Sequence, residues 1–461
     1  SPWGAKKIPL SFPDEAIQVH ESDPGAITSY AAPVQNVEIK VNPEIMRKYT
    51  SDPEILRNST FSFTFRGTNI QGSNIFRVQD QLIKDIVQQC KFERPVYFSS
   101  TAMNSDNLIG LDDYLRLEGM VYRICPVKQS LSDDYTACDP KVMDATLLNV
   151  DNGDNYSKDF QYGFKFRNLN NPDIYYDRIQ SRYMTNFRRL YMIYVQYAMY
   201  AQKDNAKVIK ILDTMNENIG IENFPMEYTE EYMVYSYYLK AGAKDKAEKF
   251  MKMCENSCMY VINNPDKLNY RSSRLREYDF LQFDYKYPDN LTNRIITPYG
   301  ALVNIYKNSG RIADAERIMD KLYSDWFLEW NNNPSRKQKI AAMSEGKVEF
   351  NRQDEDVVFL NNLSFIQMAI VNFKLETLKP SASIQEKTKI LEDFAARFKK
   401  DIQRDQFLSQ IFGAEPQIQS YIKSKIDELK PKAETDSLVT MTDSAAVTTP
   451  AQQLNDTAKA K

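Results

Sequence analysis

The sequence predicts an α+β chain, in which a small α/β module precedes an all-α domain of tetratricopeptide-like helical repeats. Two observations carry this. Short runs with strand period alternate with helical pattern up to about residue 125. From about Ile179 to Ile426 the chain is mostly helical, and it repeats. The expected organisation is an extended leader over 1–58, the α/β module over 59–150, helical hairpins over 160–430 and a disordered tail over 431–461.

The leader holds seven prolines and β-rich runs such as Asn36–Val41, so it reads as extended chain with one or two strands. Ser62-Phe-Thr-Phe-Arg66 alternates in the strand period. A helix is expected from about Ile75 to Lys91, with Ile75, Val78, Leu82, Ile83, Ile86 and Val87 on one stripe. Arg94–Ser99 reads as a buried strand. Asp112 opens a short helix whose far end is Gly119, a natural left-handed residue after a helix. Met120–Cys125 is a further strand, closed by Pro126.

Past the Asp- and Asn-rich loop around 151–159, three junctions align: Ala201–Lys207, Gly242–Glu248 and Gly310–Glu316. Each has a small residue closing one helix, which is expected to let two helices approach closely, and an alanine five residues later (Ala206, Ala247, Ala315). The starts are 41 and 68 residues apart, and the second interval contains a loop-like insertion, Asn263 to Asn293. Against a usual repeat of ~34 residues, these are irregular hairpins. Aromatic first helices such as Tyr228–Leu239 suit a solenoid core. The tail from Pro431 has no aromatic residue and cannot offset its ordering entropy.

Composition excludes several functions. Lys plus Arg number 59 against 62 for Asp plus Glu, a net charge of -3, which argues against nucleic acid as a partner. The only histidine is His20, so metal sites built on paired histidines are excluded, and a Ser/His/Asp device would have to recruit a leader residue. The 14 glycines form no Gly-x-Gly-x-x-Gly, and Gly67 and Gly72 are followed by Ser73-Asn74 where a phosphate loop needs Lys and Ser/Thr. No metal or cofactor is expected. No segment reaches the ~18 apolar residues of a membrane span; Leu190–Ala201 comes nearest and reads as a buried helix. The chain starts at Ser1 rather than Met and reads as a processed product or a piece of something longer, any anchor lying upstream.

Of the five cysteines, Cys254 and Cys258 lie four apart on one helical face and should pack as small apolar residues. Cys125 and Cys138 flank the Ser130–Tyr135 loop and are either a disulfide or two free thiols. Arg178, Arg182, Arg188 and Arg189 concentrate positive charge at the start of the first repeat helix; salt bridging is the expected role, an anionic ligand or partner the alternative. Trp326 and Trp330 share a helical face beside Asn331–Asn333; core packing is expected, stacking on a sugar ring the alternative. Paired carboxylates at Asp112-Asp113, Asp133-Asp134 and 354–356 read as caps or solvated loops. Asp436-Ser437-Leu438, Asp443-Ser444-Ala445 and Asp456-Thr457-Ala458 resemble the acceptor pattern for periplasmic O-glycosylation in one large bacterial phylum, with Ser437, Ser444 and Thr457 as the candidate acceptors.

The stretch Arg94–Ser99, Ile109–Leu115, Glu118-Gly119, Tyr122-Arg123 and Pro126 resembles the soluble region of a bacterial membrane-protein family, glycosyltransferase family 117, related to animal transmembrane O-mannosyltransferases. Ile174–Asp177 with Met184–Arg188 is similar to it, as is Phe224–Tyr228 leading into Tyr237–Gly242. The residues that match its motifs are Asp112, Asp113, Tyr114, Glu118, Gly119, Asn186 and Phe187. On their own chemistry, Asp113, Tyr114 and Glu118 are a helix start, a core aromatic and the last turn of a short helix. The resemblance implies a parent with an N-terminal multi-spanning domain that uses a lipid-linked sugar, followed by a soluble part on the outer, periplasmic side of the cytoplasmic membrane. The expected function is a non-catalytic platform that docks an acceptor or partner protein. The alternative is a free-standing periplasmic or surface repeat protein that binds glycans, against which the first cysteine, Cys90, counts.

Overall fold

The computed structural model describes residues 29–31, 33–70, 73–103, 107–129, 132, 134–149, 163–264, 298–351, 354–378, 382–399, 406, 409 and 417–429. The chain is α+β, with small antiparallel sheets near its N-terminus and a mostly helical remainder. The described residues divide between Trp326 and Phe327 into two compact units.

In the first unit, β2 (Gln35–Lys40) pairs antiparallel with β3 (Thr60–Phe65), placing Val37 opposite Phe63 and Ile39 opposite Phe61. All four are buried, because the two-residue period sends alternate side chains to one face. A second sheet joins β1 (Ser29–Ala31), β5 (Ser73–Arg77) and β4 (Thr68–Ile70). A third joins β6 (Tyr97–Ser99), β8 (Val121–Ile124) and β7 (Leu115–Glu118). Phe65 and Phe76 stack with centroids 4.3 Å apart.

The leader differs from its sequence reading in two ways. Its residues from Val37 to Met46 share one hydrophobic core with Phe61, Leu111 and Ile124, so this part belongs to the module. Two short helices interrupt it, α1 (Pro43–Met46) and α2 (Pro53–Asn58). Each begins with its proline, capped by Asn42 and Asp52, the one helical position where a missing N–H costs nothing.

The helix expected from Ile75 starts later, as α3 (Val78–Cys90); Ile75 to Arg77 end β5. The helix expected from Asp112 to Gly119 is also corrected. Only Asp112–Tyr114 form a tight turn, Leu115–Glu118 are β7, and Gly119 (φ +67°) turns the chain into β8. Leu115 and Leu117 alternate with Arg116 in the strand period, and in so short a run that alternation overrides the capping signal. The disulfide alternative falls too: Cys125 and Cys138 are buried free thiols.

After α4 (Pro140–Met143) and a π-helical turn over Asp144–Leu148, the helical hairpins begin. They comprise α5 (Arg178–Gln196), α6 (Asn205–Asn218), α7 (Tyr228–Lys240), α8 (Lys244–Asn263), α9 (Pro298–Asn308) and α10 (Ile312–Asn332). Chain neighbours pack on one another, α6 on α5 and α7, α7 on α8, and α9 on α8 and α7, while Tyr299 of α9 donates to Asp325 of α10 at 2.6 Å. The second and third junctions form as expected, with Ala247 and Ala315 buried. Gly242 (φ +88°) and Gly310 (φ +73°) are needed for their left-handed backbone and not for close approach, since an added Cβ at either would meet nothing within 4 Å. The first junction is offset by two residues. Lys203 (φ +55°), not Ala201, takes the left-handed turn, and Val208, not the exposed Ala206, takes the buried place.

Tyrosines tie these layers together. Tyr191 donates to Leu147 O at 2.8 Å, and Tyr194 to Asp144. Tyr237 bonds Gln196, Tyr238 donates to Asp213 at 2.9 Å, Tyr235 bonds Asn308, and Tyr306 donates to Glu255 at 2.8 Å. The buried rings thus keep their hydroxyls satisfied.

The second unit contains α11 (Pro334–Ser344), α12 (Glu355–Glu376), α13 (Ile384–Arg397) and α14 (Gln417–Leu429). Ile340, Met343, Val357 and Leu360 form a small core, and Arg336 pairs with Asp356 at 2.7 Å. Among the described residues no helix is long and apolar enough to cross a membrane.

Candidate functional site

One of the motif residues, Glu118, lies at the centre of a cluster on one face of the third sheet. Antiparallel register sets Tyr97 of β6 opposite Arg123 of β8, and Arg123 opposite Arg116 of β7. Glu118, two residues along β7, therefore shares their face, and its carboxylate is buried. It accepts from Arg116 Nη2 at 2.6 Å, Arg123 Nη1 at 3.3 Å and the Tyr97 hydroxyl at 3.3 Å. Arg116 also reaches Asp139 at 2.9 Å. The Tyr49 ring lies 5.6 Å from the Arg116 guanidinium carbon and 5.7 Å from that of Arg123. Both Nε atoms are buried without a hydrogen-bond acceptor; the Tyr49 ring faces both guanidinium groups, and the Tyr97 ring lies 5.7 Å from the guanidinium carbon of Arg123.

Two guanidinium groups face two carboxylates, so the cluster neutralises itself. Burial opposes the charge on both arginines, yet Glu118 beside them raises their pKa values above the ordinary arginine value. Burial pushes the adjacent Cys125 thiol up to about 11, and the Cys138 thiol higher still, which leaves neither as a thiolate nucleophile at neutral pH. The arrangement ties three strands, the α1–α2 connection and the start of α4 into one block; it fixes shape.

The other motif residues serve the fold in the same way. Asp112 pairs with Arg66 at 2.9 Å and Asp113 with Lys128 at 3.0 Å. Tyr114 is a core aromatic, its hydroxyl donating to Ser62 O at 2.6 Å and its ring 4.8 Å from Phe61. Phe187 sits edge-on to Phe164 and Phe166, at 5.2 and 5.5 Å, while Asn186 is exposed.

The arginine group does not form one patch. Arg188 is buried, donating to Phe224 O and lying 3.9 Å from Glu230, whereas Arg189 is exposed. The side chains of Arg178, Arg182, Trp326 and Trp330 lie outside the described residues, as do His20, Ser437, Ser444 and Thr457.

Sequence reasoning missed a second buried cluster, between α7 and α8. Glu231 is 4% exposed, bonds Ser257, and keeps Oε2 without a partner. Burial, with Glu230 adding to it, pushes its carboxyl up to about 7. Glu230 is raised too, because burial outweighs the help of Arg188. Cys254 and Cys258 are buried beside them with sulfurs 3.8 Å apart, packing as expected. The available signal was positional: Glu231 lies on the helical face of Tyr228, Tyr235 and Tyr238, where solvent is absent. No group of three or more His, Cys, Asp or Glu among the described residues is arranged to hold a metal.

A family model described as TMEM260-associated domain 2 matches residues 10–142. That family is linked to a protein O-mannosyltransferase-like membrane protein. The matched stretch contains the whole ion cluster on the third sheet, from Tyr49 to Asp139, and stops short of the helical hairpins. No curated protein and no solved structure matches the chain.

Proposed function

We propose that this chain is the non-catalytic, extracytoplasmic region of a bacterial glycosyltransferase-like membrane protein of the family 117 type, and that its helical hairpins dock an acceptor or partner protein. The carrying observation is the common register of the hairpin turns. Lys203, Gly242 and Gly310 each turn left-handed, and Val208, Ala247 and Ala315 each bury five residues later. Hairpins stacked in register present an extended side surface, the physical basis of docking in repeat proteins. The family match over residues 10–142 supports the link to the membrane protein. The ion-paired state of Asp112, Asp113 and Glu118 supports a structural role for the motif.

In this reading the coding sequence upstream of Ser1 carries the membrane spans and the sugar-transfer chemistry, and this region sits on the periplasmic side. Photo-crosslinkers at exposed Lys210, Lys252 and Asn256 of the full-length parent test it. They should label proteins that bear O-linked hexose, and the isolated chain should stay silent on a glycan array. An in-frame start codon just upstream of Ser1, or crosslinks confined to unmodified proteins, would overturn the proposal.

A further inference from the structure

Between Cys254 and Cys258, α8 carries bonds to both of the helices that flank it in the chain. Ser257 bonds Glu231 of α7, while Glu255 accepts from the Tyr306 hydroxyl of α9 at 2.8 Å and pairs with Arg311 at 3.1 Å. The two cysteines that bracket this turn are fully buried, and their helical spacing puts them on one face with sulfurs 3.8 Å apart. The Cys254 thiol donates to Tyr228 O at 3.4 Å. A thiol has one proton to give, so the proton between the sulfurs comes from Cys258. Burial, together with the neighbouring Cys254 and Glu231, pushes the Cys258 thiol well above its ordinary range. While the hairpin is closed, the pair is an unreactive dithiol.

The spacing that brings the sulfurs together also opposes their union. A disulfide needs its Cβ atoms about 3.5–4.5 Å apart, whereas a helix holds positions four residues apart at about 5–6 Å. Joining the sulfurs therefore strains the new bond or pulls residues 255–257 out of helical geometry. Those residues include the anchors to α7 and α9, so the second course unfastens α8 from both.

We propose that Cys254 and Cys258 are a redox trap for the α7–α8 hairpin: a dithiol while it is closed, and a disulfide that blocks reclosure once it has opened in the presence of an oxidant. This goes beyond acceptor docking and does not rest on it. The oxidant is a small-molecule disulfide such as oxidised glutathione. One cysteine thiolate attacks it, expelling reduced glutathione and leaving a mixed disulfide; the other attacks the cysteine sulfur of that bond and expels the second glutathione. The pair loses two protons and two electrons, and the two glutathione thiols carry them away.

The test holds the whole chain in enough urea to expose the α7 and α8 amides to hydrogen exchange, adds oxidised glutathione, then removes both. Peptide mapping should find Cys254 and Cys258 joined to each other. The amides of α7, α8 and α9 should then exchange about tenfold or more faster than before treatment, until dithiothreitol restores them. Chain never exposed to urea should keep both thiols free. Cys258→Ala cannot form the bond and should regain its own starting protection, which separates the pair from the other thiols. Should that variant fail to fold, dithiothreitol rescue of the wild type, followed peptide by peptide, takes its place. An internal disulfide with full protection, glutathione attached without an internal bond, free thiols on the opened chain, oxidation of the unopened chain, or an equal loss of protection in Cys258→Ala would each overturn the proposal.

Discussion

Replacing Glu231 with glutamine should remove a pH dependence from the α7–α8 hairpin. The carboxyl faces Ser257 and Cys258 of α8 and lies beside Glu230 on α7, and its second oxygen has no partner. Its ordinary value of 4.5 rises to about 7 on folding, mainly through burial. Between those values the folded hairpin holds a proton that the opened one has released. Stability therefore falls as pH rises, by about 1.4 kcal/mol per pH unit from this group, and levels off above about pH 7. The accumulated loss is on the order of 3 kcal/mol. Glu231→Gln keeps the shape and cannot ionise, so it should match wild type near pH 4.5 and exceed it by ~3 kcal/mol at pH 8. Hydrogen exchange of the α7 and α8 amides, corrected for intrinsic rates, reads this opening locally and needs no two-state unfolding of the whole chain. A wild-type-minus-variant difference that stays constant from pH 4.5 to pH 8 would refute the reasoning.

Glu118→Ala should cost about 3 kcal/mol, because it strands Arg123 and leaves Arg116 with Asp139 alone; chemical denaturation checks this. Gly67→Ala should prevent formation of the second sheet, since an added Cβ would lie 2.0 Å from Ile75 O, and the soluble yield of folded protein reports it. Gly310→Ala, with open space around it and φ at +73°, should cost only about 1 kcal/mol, read as a small shift in thermal midpoint. Alkylation of the denatured chain without reductant should modify all five cysteines, and the native chain should resist at Cys125, Cys138, Cys254 and Cys258.

What the sequence makes legible follows the range of the forces involved. Thr60–Phe65 is legible because alternation over six residues has no helical reading, and the hairpin junctions are legible because small residues punctuate the helices. Pro43 and Pro53 mislead because a helix tolerates proline at its first position, and the cap that reveals this precedes the proline. Lys203 misleads because it adopts a backbone that glycine advertises and lysine does not. The sheet-face cluster could not be foreseen. Tyr49, Tyr97, Arg116, Arg123 and Asp139 are scattered along the chain; strand register brings Tyr97, Arg116 and Arg123 to Glu118, and the α1–α2 connection and the cap of α4 add Tyr49 and Asp139. Glu231 differs: its place on the stripe of Tyr228, Tyr235 and Tyr238 is legible, and what the sequence does not show is its bond to Ser257 across the hairpin.

The tyrosine hydroxyls of the hairpins carry a consequence for how such a chain can change over generations. Each finds its partner at one address: Tyr237 at Gln196, Tyr238 at Asp213, Tyr235 at Asn308 and Tyr306 at Glu255. Arrays held by interchangeable greasy contacts grow or shrink by copying a module. Here a duplicated hairpin would bring hydroxyls to places where no partner waits, and a deleted one would orphan them in a dry interior. The length of this array is therefore locked, and diversity should accumulate on its outer surface and in the connection between α8 and α9.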